Sequence, residues 1–138
     1  MKSSGYSGTP LVRKLGIGER MRVTVLGAPA YYRQLLGELP KGASIGSRMS
    51  AGAGFVHLFV TERKGLARRL TMLRNRIAQD GVLWVSWPKK ASKVATDITE
   101  GTIREVALPL GFVDVKVCAV DETWSGLKLM IRRAERTG

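Results

Sequence analysis

The feature that most limits how this chain can fold is an unbroken apolar run near its middle, Val82 to Val85. A strand with one wet face alternates apolar and polar residues, whereas a continuous apolar run is typical of a strand buried on both faces. Pro88 ends the run, because proline cannot donate a hydrogen bond to a β-ladder. The run therefore predicts a central strand that is covered by helices on both sides.

The segments around this strand predict an alternation of strands and helices. Helices are expected where apolar residues recur every three to four positions, as in the stripe of Leu66, Leu70, Leu73 and Ile77. Alternation in the last part of the chain predicts an antiparallel hairpin whose first strand carries its valines on one side and Asp114, Lys116 and Cys118 on the other. The predicted strands span 21–26, 55–60, 82–87, 113–120 and 127–132, and the predicted helices span 10–16, 30–39, 61–79 and 97–110.

Two stretches carry weak patterns. Residues 41–54 hold four glycines and three serines, which suits a short edge strand over 43–48 and a flexible loop equally well. Residues 1–8 are rich in glycine and serine and are expected to be loosely held. No repeat or linker divides the chain, so 1–138 is interpreted as a single α/β domain.

Charge is the compositional property that bears most on function. The net charge of +12 favours anionic partners such as nucleic acid, phosphates or acidic proteins. No apolar run approaches the roughly 20 residues of a membrane span, and the first residues lack the apolar core of a secretory signal. We therefore expect a cytoplasmic protein without membrane contact, in which the lone Cys118 is a small core residue.

The order of predicted elements resembles a trimmed class I methyltransferase-like sheet. That resemblance implies an open, Rossmann-like, three-layer α/β sandwich with a mostly parallel sheet and a C-terminal antiparallel strand. The cofactor signature of such folds is missing, because the turn after the first strand, Gly27 to Ala30, has one glycine and a proline. No acidic residue stands clearly at the end of a second strand to hold a ribose, so no cofactor is predicted.

Longer motifs give a second resemblance, which covers essentially the whole chain. The motifs that carry it are Gly5 to Leu11, Lys14 to Ile17, Leu83 to Lys90 and Val113 to Lys128. With these motifs the sequence resembles a small bacterial family catalogued as domain of unknown function 3052. This resemblance implies no activity, cofactor or catalytic residue.

A candidate ligand site follows from the direction of two strands. If the strand over 113–120 runs parallel to the central strand, the loops after both emerge at the same edge, where open α/β sheets bind ligands. The alternative is a structural salt bridge between Lys89 or Lys90 and Asp121 or Glu122. The candidate ligand-binding residues are Trp87, Lys89, Lys90, Ser92, Lys93, Asp121, Glu122, Trp124 and Ser125.

The helix over 61–79 offers a second, different surface. Its basic residues could contact a phosphate backbone, although a solvated helix face explains them as well. They are Arg63, Lys64, Arg68, Arg69, Arg74 and Arg76.

The sequence contains few patterns that are typical of catalytic residues. His57 lies inside a predicted apolar strand and is interpreted as a hydrogen-bonded core residue. Two S-x-x-K matches, at Ser86 and Ser125, are flanked by strands and are attributed to chance. No zinc-type ligand cluster is present, so no metal site and no catalytic residue are predicted.

Three functions follow from these patterns. The first is a non-enzymatic binding module that uses the basic sheet edge to hold an anion, nucleic acid or an acidic partner. The second is an atypical or degenerate S-adenosylmethionine-dependent enzyme of methyltransferase descent. The third is a scaffold that docks on a partner protein or on a second copy of itself.

Overall fold

A computed structural model describes residues 9–137, which form a six-stranded sheet with helices on both faces. The residues 1–8 that were predicted to be loosely held lie outside the described residues. Among the described residues, no helix is long and apolar enough to cross a membrane. The strands are Arg22–Leu26 (β1), Ser44–Gly46 (β2), Ala53–Phe59 (β3), Ile77–Pro88 (β4), Phe112–Ala119 (β5) and Trp124–Ile131 (β6), and the helices are Leu11–Leu15 (α1), Tyr32–Leu36 (α2), Arg63–Arg74 (α3) and Glu100–Ala107 (α4).

The sheet has the strand order β2-β1-β3-β4-β6-β5. The first four strands in that order are mutually parallel, and β6 is antiparallel to both of its neighbours. The predicted fold class, a mostly parallel Rossmann-like sheet with an antiparallel C-terminal strand, is therefore confirmed. Because β4 and β5 both oppose β6, they run in the same direction, and their carboxyl ends meet at one edge, here called the carboxyl rim.

The α3–α4 side of the sheet is an apolar core. Leu66, Leu70 and Leu73 are fully buried against the sheet, as the predicted stripe required. The helix is shorter than predicted, however, because α3 ends at Arg74 and Ile77 begins β4. Ile77 pairs with Ala53 of β3, so β-pairing between distant segments overrides the helical period at this point.

The cap of α4 also differs from the sequence pattern. The spacing of Asp97 and Glu100 in the sequence is that of a capping box, but Thr99 and Thr102 form the box instead. The Asp97 carboxylate accepts a hydrogen bond from the Arg63 amide at 2.7 Å and so caps α3. One helix start is thus satisfied by a residue from a loop 34 positions away in sequence.

A bulge in β5 corrects the predicted side-chain pattern of that strand. The register with β6 shifts between Asp114 and Lys116, which leaves Val115 without a partner. Val113 and Val117 therefore lie on opposite faces of the sheet, whereas strict alternation placed all three valines on one face.

The α1–α2 side is anchored by Trp84. Its indole N–H donates to the carbonyl of Leu15 at 2.9 Å and ties α1 to the central strand. Gly126 makes room for the ring, since a Cβ at this position would lie 3.2 Å from Trp84 Cε3. The central strand is thus buried on both faces, with Leu83 and Val85 directed to the α3–α4 core and Trp84 to the opposite core.

Candidate functional site

The loops after β4 and β5 meet at the carboxyl rim, where the sequence placed them together. Pro88 lies opposite Trp124 in the ladder between β4 and β6, and Trp87 lies opposite Ser125. The amide of Lys89 donates to the carbonyl of Thr123 at 2.7 Å. The two segments are therefore joined by backbone hydrogen bonds.

The prediction that Trp87 and Trp124 contribute to one ligand site is nevertheless wrong. Trp87 belongs to the α3–α4 core and is 6% exposed. Trp124 lies on the other side of the sheet, where its ring packs edge-on against Phe59 with centroids 5.0 Å apart. Because the ladder pairs Trp87 with Ser125, strand alternation sends the two indoles to opposite faces.

Asp121 stabilises the backbone turn at the carboxyl rim. Its carboxylate accepts hydrogen bonds from the amides of Thr123 and Trp124, at 2.8 and 2.7 Å, and so fixes the turn between β5 and β6. Within the described part of the chain, no ion pair joins Asp121 or the exposed Glu122 to Lys89 or Lys90. The structural salt bridge considered above is therefore not formed there.

Four of the predicted ligand-binding residues line a common cavity of about 470 Å³, here called the β4 cleft. Asp97 and Glu100 face the same cavity, so the two lysines share it with two carboxylates. Ser92 donates to the carbonyl of Lys89 at 2.7 Å, and neither Ser92 nor Lys93 lines the cavity. The lining residues are Trp87, Pro88, Lys89, Lys90, Ser125 and Thr96 to Glu100.

A second cavity, of about 530 Å³, was not predicted from the sequence. It lies at the carboxyl ends of β1 and β2, next to the topological switch point of the sheet, which is the crevice between β1 and β3. Open α/β sheets bind ligands at this edge, beside the switch point, so we call the cavity the switch-point cleft. Its walls are the turn 27–30, Tyr32, Arg33 and residues 45–47 at the end of β2.

The charge on the wall of the switch-point cleft is positive. Arg33 is the only charged residue among those that line it, and its guanidinium donates a long hydrogen bond of 3.4 Å to the carbonyl of Ile45. Ser47 also lines the cleft and carries a hydroxyl. A small molecule with an acidic group would therefore find a cation and a hydrogen-bonding side chain there.

Gly27 forms part of the cleft and has a conformation that favours glycine, with φ of +72°. A Cβ on this residue would lie 2.7 Å from the carbonyl oxygen of Phe59. The missing side chain therefore lets β3 approach the turn, whereas in dinucleotide-binding folds glycines at this turn let a ligand approach. The sequence alone could not distinguish these two uses of the same glycine.

A side-chain hydrogen bond, here called the bridge, joins Tyr31 and Trp124 at the carboxyl rim between the two cavities. The indole N–H of Trp124 donates to the Tyr31 hydroxyl at 3.2 Å. Desolvation raises the pKa of Tyr31, the Trp124 hydrogen bond opposes this rise, and the charge of Asp121 adds to it. The bridge ties the turn after β1 to the turn between β5 and β6.

A buried chain of hydrogen bonds begins at the wall of the switch-point cleft. The Tyr32 hydroxyl is 2.8 Å from His57 Nδ1, and His57 Nε2 is 2.8 Å from Ser86 Oγ. Burial lowers the pKa of His57 to about 3 and raises that of Tyr32. The imidazole is therefore neutral at physiological pH, in keeping with its interpretation as a hydrogen-bonded core residue.

The basic residues of α3 do not form one free surface. Arg63 pairs with Glu105 at 2.7 Å, and Arg74 donates to the carbonyl of Leu110 at 2.7 Å. These two side chains connect α3 to α4 and to the turn before β5. The predicted nucleic-acid residues that are exposed and belong to none of the ion pairs of residues 9–137 are Lys64, Arg68, Arg69 and Arg76.

Comparisons with known proteins show the class of fold. A protein assigned to the type 11 methyltransferases from Sulfolobus solfataricus has a TM-score of 0.62 at 11% identity, over 95% of this chain and 94% of that one. An S-adenosylmethionine-dependent methyltransferase from Aquifex aeolicus has a TM-score of 0.62 at 14% identity, over 88% and 87% of the two chains. The fibrillarin pre-rRNA processing protein of Methanococcus jannaschii has a TM-score of 0.51 at 12% identity, over 91% and 70%.

These similarities establish a methyltransferase-like fold. At such low identity they define the architecture, and function has to be argued from the site. No family model and no curated protein matches the chain, so its membership of domain of unknown function 3052 stays a prediction.

Proposed function

We propose that the protein binds a small adenosine-containing acid in the switch-point cleft. The observation that carries this proposal is the position of a cavity of about 530 Å³ at the carboxyl ends of β1 and β2, beside the topological switch point, with Arg33 on its wall. Its volume lies within the roughly 300–1,000 Å³ usual for small-molecule sites. The adenosine part is suggested by the methyltransferase fold, and the acidic part by the guanidinium of Arg33.

Two kinds of molecule share this chemistry. S-adenosylmethionine carries a carboxylate, and adenine nucleotides carry phosphate. Binding of S-adenosylmethionine would make methyl transfer, the activity named for the structural neighbours, the favoured function.

The residues of the cleft only partly suit S-adenosylmethionine. Arg33 and Ser47 could hold its carboxylate, but no acidic side chain lines the cleft to accept from the ribose hydroxyls. In addition, the space beside Gly27 is taken by the carbonyl of Phe59. The donors of the cleft therefore match an acidic group better than a ribose, and we assign no catalytic step to these residues.

Calorimetric titration tests the proposal directly. The ligands are S-adenosylmethionine, S-adenosylhomocysteine, AMP, inorganic phosphate and uncharged adenosine, each added to the wild-type chain and to two variants. Arg33→Gln removes the cation of the cleft, and Arg68→Gln makes the same change on the exposed face of α3. We expect an adenosine-containing acid to bind more tightly than adenosine, and Arg33→Gln to weaken it roughly tenfold, as the loss of a charge-assisted hydrogen bond implies.

The outcomes separate the candidate functions. Binding of S-adenosylmethionine without AMP supports the methyltransferase function, and binding of AMP without S-adenosylmethionine removes it. If none of these ligands binds, or if Arg33→Gln binds as tightly as Arg68→Gln, the proposed site is wrong. A variant in which Lys89, Lys90 and Lys93 are all changed to Ala belongs to the same series. It tests whether the lysines of the carboxyl rim bind the anion instead.

A further inference from the structure

The outermost strand at one end of the sheet, β5, exposes valine side chains on both of its faces. Val113, Val115 and Val117 are 36%, 50% and 48% exposed. Together they account for half of the exposed large hydrophobic residues in the described chain, the others being Tyr31, Val94 and Leu108. An edge strand also presents unpaired backbone N–H and C=O groups, so β5 combines apolar contacts with ladder hydrogen bonds that a partner could complete.

The charge beside this strand is positive. Lys116 lies directly opposite Lys128 of β6, and like charges at such a position destabilise a strand pair. Within 9–137, no carboxylate forms an ion pair with either lysine, while Asp114 on the other face is paired with Arg104 at 2.9 Å. A partner that brings negative charge would therefore stabilise this face of β5.

A third positive charge lies near the same face. Burial raises the pKa of the Cys118 thiol, while the charges of Lys14 and Lys116 act in the opposite direction. Lys14 belongs to α1, so the positive potential extends from the hairpin to the neighbouring helix.

A second copy of the chain does not suit this edge. Pairing β5 with β5 would bring together Lys116 and Lys128 from two chains that each carry a net charge of +12. The occupant that satisfies both the charge and the apolar surface is an acidic segment from another protein.

We propose that β5 is a docking edge for an extended acidic segment of a partner protein. The segment would add a short strand along Val113 to Val117 by backbone hydrogen bonds, as in other cases of β-strand addition. Its carboxylates would lie beside Lys116 and Lys128 on one face of the sheet, and its apolar side chains would contact Val117 on the other face. This surface is separate from the switch-point cleft, so the inference does not depend on the proposed ligand.

Fluorescence anisotropy tests the inference with a labelled peptide that alternates valine and glutamate. Three probes serve as references: a peptide that alternates valine and lysine, an acidic peptide N-methylated at alternate amides, and duplex DNA. We expect only the unmethylated acidic peptide to bind, and its binding to weaken between about 50 and 300 mM salt because exposed charges are screened. Lys116→Glu should weaken binding roughly tenfold, about 1.4 kcal/mol, whereas Lys64→Glu, the same charge change on α3, should leave it unchanged.

Each remaining result would count against the proposal. Absence of acidic-peptide binding at low salt, or equal binding by Lys116→Glu and Lys64→Glu, removes the docking edge. Equal binding of the N-methylated peptide removes strand addition. Binding of DNA alone, lost in Lys116→Glu, assigns the surface to nucleic acid, and a dimer detected by light scattering that Lys116→Glu dissociates assigns it to a second copy.

Discussion

The helices on the two sides of the sheet are held to it by different kinds of interaction. On the α3–α4 side, a twelve-residue helix lays leucines against β3, β4 and β6. On the α1–α2 side, two five-residue helices cover the sheet. There, hydrogen bonds supplement the apolar contacts: Trp84 holds Leu15, and His57 links Tyr32 to Ser86.

The two sides of the sheet therefore contribute differently to the stability of the fold and to the geometry of the candidate site. Burial of leucines is non-directional and tolerates small shifts, whereas a buried hydrogen-bond chain fixes side-chain positions and is costly when one member is removed. The switch-point cleft has Tyr32, a member of that chain, on its wall. We therefore expect changes on the α3–α4 side to reduce stability most, and changes in the hydrogen-bond chain to affect the cleft as well.

The largest effect is expected from Leu70→Ala. Leu70 is fully buried in α3, and such truncations cost about 3–5 kcal/mol through lost transfer energy and the cavity left behind. Leu108→Ala, at a residue that is 37% exposed, is the matched control, with an expected cost of about 0.5 kcal/mol. Urea unfolding measures both, and similar costs would show that α3 is not the main source of stability.

A smaller effect is expected from His57→Phe. This change keeps an aromatic ring but leaves the buried hydroxyls of Tyr32 and Ser86 without their partner. We expect a loss of about 2–3 kcal/mol, since each unsatisfied buried group costs roughly 1–3 kcal/mol. Adding Tyr32→Phe should recover part of the loss by removing one of these hydroxyls, whereas strictly additive losses in urea unfolding would show that the two residues are not coupled.

The smallest effect is expected from lowering the pH. Because burial holds the pKa of folded His57 at about 3, below its usual value of 6.5, protons below pH 6.5 bind preferentially to the unfolded chain. This contribution to stability is complete above about pH 7 and falls by about 1.4 kcal/mol per pH unit, or about 2 kcal/mol between pH 6.5 and 5. Unfolding at several pH values should show this slope in the wild type, and a similar slope in His57→Phe would contradict its assignment to His57.

Much of the fold could be predicted because its signals are local. The apolar run at Val82 to Val85 identified a strand covered on both sides, and the leucine period identified α3. The errors arose where distant segments compete with local preference. Ile77 leaves the helical stripe to pair with Ala53, and Asp97 caps α3 in place of α4.

The candidate site was less predictable. Strand direction correctly placed Pro88 and Trp124 at one rim. The face that each side chain occupies depends on the register between β4 and β6, which is set by the packing of both strands together. The switch-point cleft escaped sequence reasoning because its walls come from Gly27, Arg33 and Ser47, which form no recognisable motif.

The sequence by itself determined the alternation of strands and helices, the burial of the central strand and the strong positive charge, because each depends on residue type and short-range spacing. Tertiary structure alone decided that Trp87 and Trp124 face opposite sides, that Gly27 accommodates the Phe59 carbonyl, and that Lys116 stands against Lys128. Those outcomes depend on pairing between segments distant along the chain. Such pairing is set by the cooperative packing of the whole sheet, and a shift of one residue reverses the face that every side chain occupies.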